Sequence, residues 1–450
     1  MAKFLQPNSL GSRVAAAQVI AMVLRGQSLS ALLPKYSDTV LEKDRAQFKE
    51  MCFGSLRWYP QIAMLVKQLM HKPLRNKDLD IQGLIVCGIY QLLYMRISEH
   101  AAINETVAAS KSLNKDWAKG LINAVLRKVQ RDREALLQQN AKNPVYVAAH
   151  PQWLLKKFTA AWPQHIDAII TANNQRAPMT LRVNSKRLTR DDYLQTLAAE
   201  KISAHKTRHS DVGIQLDTAI DVSLVPQFQT GAVSVQDESA QLAAGLLCLE
   251  PNQRVLDACC APGGKTCHIL EAEPNIDTLV AIDSEPSRLT KVSENLTRLC
   301  LDAELKSADA SELASWWDGG FFDRVLLDAP CSGTGVIRRH PDIKLLRKPT
   351  DIAKLVQIQV QLLQQLWKTL SNQGILVYAT CSILPEENDQ VIKAFVHGRE
   401  DVELVDISVT WGQATAFGRQ LLPVSGGHDG FYYARLRKKD SAAQKRHKSE

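Results

Sequence analysis

The chain has 450 residues, 45% of them hydrophobic and 23% charged, with 22 Gly and 18 Pro. At roughly 150 residues per domain this predicts a multi-domain protein with enough apolar content for several cores. The composition excludes a wholly disordered, collagenous or small disulfide-stapled chain. Nine cysteines, an odd number with no CxxC pair, argue against a disulfide framework and against a zinc site.

The net charge of +8 is unevenly spread: residues 1–140 carry +9, 141–235 carry +4, 236–434 carry −10, and the tail from Arg435 carries +5. A basic front and tail around an acidic back half suit a chain that grips a polyanion with accessory segments. Mildly basic helical domains are also common, so on charge alone the two readings weigh evenly.

The first 140 or so residues read as helices, punctuated by Pro34, Pro60 and Pro73. Val14–Leu24 has the length of a signal-peptide core, but Arg25-Gly26-Gln27 follows it instead of a small-residue cleavage site. It is therefore read as a helix of the mature protein. The longest uncharged apolar stretch, Ile81–Met95, falls short of the roughly 20 residues that span a bilayer. No membrane association is expected, and the protein is assigned to the cytoplasm. Leu121, Ile122, Val125, Leu126 and Val129 keep the spacing of one buried helix face.

Asn143-Pro144 and His150-Pro151 break the pattern. Met179–Asn184 then alternates like a strand, and Thr189 is placed to cap a helix with Asp191 and Asp192 in its first turn. From Ser234 strands alternate with helices: Arg254–Cys259, Thr278–Asp283, Phe322–Asp328 and Gly374–Thr380 are strands, and a long helix covers about 351–370. Such alternation predicts a doubly wound, mostly parallel sheet. The domain division read from this is 1–140 helical, 141–233 an α+β connector, 234–437 a catalytic α/β domain, and 438–450 a basic tail.

Ligands of such sheets lie beyond the carboxyl ends of the strands. Those ends carry Asp257 and the run Cys260-Ala261-Pro262-Gly263-Gly264-Lys265-Thr266, then Asp283, Asp309, Asp328 and Thr380-Cys381. Asp283, 20 residues past Gly263, is placed to accept hydrogen bonds from ribose hydroxyls. A P-loop would need glycine where Cys259 stands, and the dinucleotide G-x-G-x-x-G is absent. An adenosine ligand without pyrophosphate fits better, and S-adenosyl-L-methionine (AdoMet) is the common one. A tight strand–helix turn with an incidental acid is the alternative.

Cys331 and Cys381 both fall at strand ends facing that edge, whereas Cys52, Cys87, Cys248 and Cys300 read as structural small hydrophobes. Methylating a pyrimidine at C5 requires a thiolate to add at C6, which turns C5 into a nucleophile. A carboxyl such as Asp328 suits the N3/N4 edge of the activated base. The Asn/Asp-Pro-Pro-aromatic loop of amine methylation is absent.

The motifs LDACCAPGGKT, AID, SADA, LLDAPCSGTGVIRRHPDIK and VYATCSILPEEN together resemble the bacterial RNA cytosine-C5 methyltransferases of the ribosomal small-subunit methyltransferase B (Sun/Fmu) family. The resemblance covers nearly the whole chain. AAINETV from Ala101 and KGLINAVLR from Lys119 resemble its NusB-like helical domain; LRVN from Leu181 resembles its connector and DGFYYA from Asp429 its last strand. It implies an all-α NusB-like RNA-binding domain, a small α+β connector and a Rossmann-like AdoMet-dependent domain. The implied substrate is 16S ribosomal RNA, and the implied product is 5-methylcytosine.

The same resemblance implies that Cys381 is the nucleophile and that Cys331 assists product release, an assignment the residues alone leave open. It further implies AdoMet contacts from Cys260 through Thr266, Asp283 on the ribose, Asp309 near the adenine, Asp328 at the junction of cofactor and base, and Lys265 close to the reacting base. No metal is implied. Cys260, Gly333 and His428 depart from the family pattern without removing a functional group. The competing functions are the same chemistry on tRNA or DNA, and a non-catalytic RNA-binding or assembly protein.

Overall fold

The computed structural model describes residues 10–70 and 72–440, so the basic tail lies outside the described residues from 441 onward. The chain forms two compact units: one from 1–176 with 337–348, the other from 177–336 with 349–450.

The helical unit is built around two helices whose composition leaves almost no polar face. Ser12–Leu24 buries Val14 through Ala17, Val19 and Ile20, and Leu79–Tyr94 buries Ile81, Leu84, Ile85, Val86 and Ile89. They approach closely because Gly83 has no side chain: a Cβ there would lie 2.4 Å from the Ala17 carbonyl oxygen. The helix Lys119–Arg131 buries Ile122, Val125, Leu126 and Val129 as its periodicity predicts, while Leu121 at the rim is only half-buried. Pro60 opens the helix Tyr59–Leu69, but Pro34 departs from the expected break and sits inside the helix Leu29–Ser37. Three further helices, Pro144–Ala148, Gln152–Ala161 and Ile166–Asn174, belong to this unit by their contacts.

Residues 337–348 enter the helical unit from far along the chain. Asp342 Oδ2 accepts the backbone N–H of Leu29 at 2.9 Å, at the start of the helix Leu29–Ser37. Lys344 is 3% exposed. Its Nζ donates to the Arg57 and Ala149 carbonyls at 2.8 and 2.9 Å and to Asn174 Oδ1 at 2.6 Å. Burial, with the Arg57 guanidinium adding to it, holds the Lys344 pKa well below the usual lysine value, and the three acceptors leave none of its N–H donors unsatisfied.

The second unit opens with a four-stranded antiparallel sheet in the order β2-β3-β1-β4: β1 (Met179–Val183), β2 (Ala204–Lys206), β3 (Gly213–Leu216) and β4 (Val233–Val235). Leu181, Val183, Ile214 and Leu216 share a core with Tyr193 and Leu197 of the helix Arg190–Ala199. Thr189 caps that helix in a reciprocal capping box with Asp192.

The catalytic sheet has nine strands: β5 (Arg254–Ala258), β6 (Thr278–Asp283), β7 (Glu304–Ser307), β8 (Phe322–Asp328), β9 (Leu370–Thr380), β10 (Val402–Leu404), β11 (Gln413–Ala414), β12 (Arg419–Leu421) and β13 (Phe431–Lys438). Their order is β11-β12-β13-β9-β8-β5-β6-β7, with β10 also pairing β13. Strands β5 to β9 run parallel; β13 returns antiparallel against β9, with Tyr432 opposite Thr380. The chain leaves β5 toward β6 on one side and comes back to β8 on the other, so the switch point lies between β5 and β8. Helices Gly264–Ala272, Pro286–Leu299 and Pro349–Thr369 complete the Rossmann-like fold.

Candidate active site

At the carboxyl end of β5, the turn into the helix Gly264–Ala272 places Gly263 at φ +94°, a backbone conformation that glycine adopts without strain. A Cβ at Gly263 would also come within 3.0 Å of Val292. The turn is tied to β6: Cys260 N donates to the Ile282 carbonyl at 2.9 Å, and Ala261 N donates to Asp283 Oδ2 at 3.1 Å. Asp283 Oδ1 accepts the Glu285 N–H at 3.1 Å and faces Arg288 at 3.4 Å. Oδ2, with the single donor Ala261 N, keeps a second lone pair for a hydroxyl. Asp309 follows β7 and is exposed, with Oδ1 accepting from the backbone and hydroxyl of Ser311.

Under the turn, Asp257 is fully buried. Thr266 donates its hydroxyl to Asp257 Oδ2 at 2.6 Å, while Oδ1 has no hydrogen-bond partner among the described residues. Burial, with the negative charges of Asp328 and Asp283 adding to it, pushes the Asp257 carboxyl up to about 7. An unspent buried carboxyl oxygen, a close-approach glycine turn and an acid at the next strand end fit an adenosine-bearing, cationic methyl donor. Pro262 at the crest of the turn is exposed, whereas Cys260 and Ala261 are buried.

Across the switch point, Asp328 ends β8 and its Oδ2 accepts from the Lys265 ammonium at 2.6 Å. Burial works against the charge on Lys265, but Asp328 outweighs it and raises the pKa. The Lys265 Nζ also lies 4.8 Å from the centre of the Phe431 ring. Cys331 and Cys381, 50 residues apart, meet with their sulfurs 3.4 Å from one another. The hydrogen bond from Ala329 N to the Ala379 carbonyl and that from Gly335 N to the Cys381 carbonyl, both 2.9 Å, align the two segments. The facing Cys381 sulfur, then burial and the Glu387 charge, raise the Cys331 thiol well above its usual pKa.

Two supporting residues escaped the reading of the motifs. Glu387, fully buried, accepts from Ser332 N at 2.7 Å through Oε1 and from Ser382 Oγ at 2.6 Å through Oε2. Ser332 Oγ donates to the same Oε2 at 2.5 Å. Each serine follows one of the paired cysteines. Arg182 of β1, also fully buried, forks onto Glu271 with two 2.8 Å bonds and donates to the Gly264 carbonyl at 2.6 Å. Glu387 and Arg182 lie within quoted motifs, but nothing local marks either as buried. Conversely, Cys52 and Cys87 are buried as expected, whereas Cys248 and Cys300 are exposed and do not serve as core hydrophobes. Both have positive φ, +50° and +54°, at the surface ends of their helical segments.

The doubly wound sheet and its switch-point site define a Rossmann-like methyltransferase domain. The family 16S rRNA methyltransferase RsmB/F matches residues 244–437. The ferredoxin-like domain of RsmF/B-like methyltransferases matches 150–223, and the NusB family matches 11–131. Ribosomal RNA small subunit methyltransferase B of Pseudomonas putida is 53% identical over 428 residues, covering 95% of this chain and 98% of that protein. A probable member from Coxiella burnetii is 45% identical over 431 residues, covering 95% and 99%. A solved methyltransferase homolog from Pyrococcus horikoshii is 27% identical with a TM-score of 0.58 over 65% of this chain and 97% of its own. The crystal structure of PH0851 shares the fold at TM-score 0.81 and 19% identity, over 96% of this chain and 99% of its own. This chain belongs to the ribosomal RNA small subunit methyltransferase B family.

Proposed function

We propose that this protein methylates C5 of a cytosine in 16S ribosomal RNA, using AdoMet, through a covalent bond between Cys381 and C6 of the base. The observation that carries the reading is the Cys331–Cys381 pair at the ends of adjacent strands, in the same sheet edge as the Lys265–Asp328 ion pair. A sulfur pair of this kind has no use in methylation of an amine, whereas C5 chemistry needs one thiol to add and benefits from a second at elimination.

In this reading Cys381 Sγ attacks C6. Lys265 stabilises the negative charge that the addition drives into the ring, and Asp328, with Oδ2 on Lys265, offers Oδ1 to the N4–H edge. Bound AdoMet supplies the electrophilic sulfonium methyl that C5 takes up. The C5 proton passes to solvent water, its bonding pair reforms the C5–C6 double bond, and the C6–S bond breaks to return Cys381 as the thiolate. Cys331, held protonated beside it, assists release of the product. Asp283, Asp309, Asp328 and the turn Cys260–Thr266 hold the methyl donor. The basic residues of 1–140 and 141–233 bind RNA, and the domain 234–437 carries the chemistry. A helical cytosine must be unstacked before a thiol reaches C6, so the target lies in a loop or an unpaired segment.

The test is incubation of the purified protein with methyl-labelled AdoMet and protein-free 16S rRNA, followed by nucleoside identification. Labelled 5-methylcytidine is the expected result. Label in tRNA but not in 16S rRNA would keep the chemistry and overturn the substrate; label in neither would favour an RNA-binding assembly protein.

A further inference from the structure

Two glycines cross where the thiol loops meet the lead-in to β13. Gly335 donates its N–H to the Cys381 carbonyl at 2.9 Å, and its own carbonyl accepts from Gly430 N, also at 2.9 Å. The crossing admits no side chain. A Cβ at Gly430 would lie 2.8 Å from Gly335 Cα and 2.6 Å from Ile383, and one at Gly335 would overlap the Gly430 carbonyl oxygen. The segment Asp429–Gly430 is therefore part of the frame that holds the Cys381 backbone.

The far end of this chain of bonds is a carboxylate. Asp237 Oδ1 accepts the Asp429 N–H at 3.0 Å, and the same oxygen caps the helix Glu238–Leu246 by accepting Ser239 N at 2.9 Å. The first turn of that helix grips β13 a second time, where the Ser239 carbonyl accepts the Tyr433 hydroxyl at 2.6 Å. Between these two anchors sits Phe431, 5% exposed, with the Tyr433 ring stacked on it at 5.3 Å and the Lys265 ammonium 4.8 Å from its centre. Displacing Asp429 would shift two things at once: the ring against which Lys265 rests, and the glycine pair that bonds Cys381.

We propose that Asp237 is a positioning residue for methyl transfer: by holding Asp429 N it sets the Gly430–Phe431 segment, and so aligns Cys381 and Lys265 with each other. It acts through these groups and carries no proton or charge in the reaction. A helix cap alone does not require aspartate, since serine caps equally well. Aspartate adds the reach of one further bond, which lets a single oxygen serve both the helix and a strand lead-in 192 residues on. This role rests on the reading of Cys381 and Lys265 as the groups that meet the base.

Two variants of the full chain separate positioning from capping. Asp237→Ser keeps a capping hydroxyl but is one bond too short to hold Asp429 N as well, whereas Asp237→Asn keeps the oxygen that serves both. Methylation of transcribed 16S rRNA gives kcat and KM. RNA carrying 5-fluorocytidine gives the rate of adduct formation, because fluorine cannot leave as the C5 proton does and the adduct persists. A fluorogenic bimane that alkylates two thiols reports, with peptide mass spectrometry, how readily Cys331 and Cys381 are bridged. In Asp237→Ser, kcat and the adduct rate are expected to fall together by about 10- to 100-fold. Bridging should slow, while KM for rRNA, AdoMet affinity and melting temperature hold. Asp237→Asn should return kcat to within about threefold of the wild type. Wild-type kcat and bridging in Asp237→Ser would overturn the role, as would a fall in melting temperature and AdoMet affinity in step with kcat. If the wild-type chain forms no adduct, the covalent reading falls; bridging slowed in Asp237→Ser then upholds the alignment, and bridging unchanged overturns it.

Discussion

The hydroxyls of Ser332 and Ser382 lie 3.3 Å apart, each one residue beyond a thiol of the facing pair and both against the buried carboxylate of Glu387. The thiols are therefore not brought together by strand pairing alone. A buried acid gathers the two loops that carry them, and Gln359 adds a further donor to the same carboxylate at 3.2 Å.

Replacing this acid should separate positioning from binding. Glu387→Gln keeps the volume but puts an amide N–H where either Oε1 accepts two N–H groups or Oε2 accepts two serine hydroxyls, so one of those pairs loses its shared acceptor. We expect kcat to fall by about 10- to 100-fold, AdoMet affinity to hold within about twofold, and stability to drop by about 2 kcal/mol. Steady-state kinetics with calorimetric AdoMet titration would check this; loss of AdoMet binding in step with kcat would refute it.

The two thiols should fail in different ways. Cys331→Ala impairs elimination, so protein accumulates covalently on RNA and runs as a slow band in denaturing gels. Cys381→Ala gives neither band nor product. Methylation by Cys381→Ala would show that the nucleophile lies elsewhere.

Arg182 ties the small antiparallel sheet to the nucleotide turn. Arg182→Met strands the Glu271 carboxylate in a site 1% exposed, at a cost of about 3–5 kcal/mol. Adding Glu271→Leu should recover most of the melting temperature, because no buried charge is left. It should not recover AdoMet affinity, since the Gly264 carbonyl still lacks its donor.

Asp257 gives a pH signature. Its folded-state carboxyl titrates at about 7, whereas in the unfolded chain it loses its proton near the ordinary value of about 4. Between these values the folded state binds more protons, so this group lowers stability as pH rises from about 4 to 7 and contributes no further change above. Asp257→Asn cannot ionise. Its melting temperature should pull ahead of the wild type by several degrees across that window and then run parallel. A constant offset at all pH values would contradict the assignment.

Four of the five parallel strands are legible in the sequence because a buried strand reads as an apolar run, whereas β7, exposed or half-buried along its length, offers none; three of the four carry an acid at or next to the carboxyl end. Asp257, Asp283 and Asp328 all fall there, at the ends of β5, β6 and β8. The short antiparallel strands β10, β11 and β12, of two or three residues each, offer no period long enough to detect. The cysteines show the limit of residue type as a guide, since Cys248 and Cys300 share the chemistry of Cys52 and Cys87 but not their burial. Arg182 and Glu387 show the converse. A polar side chain reveals its burial only once partners 89 and 55 residues away are in place.

The chain passes from one compact unit to the other three times, after Arg176, after Val336 and after Lys348. A gene rearrangement that lifted out the methyl-transferring portion would carry Lys344 away from Arg57, Ala149 and Asn174, leaving its Nζ with none of the acceptors that make its burial tolerable. The helical portion is thus not a detachable cassette that evolution can exchange at a linker. Changes on either side must be accepted together, and a protease that cuts near Arg176 would leave two fragments still sharing one folded structure.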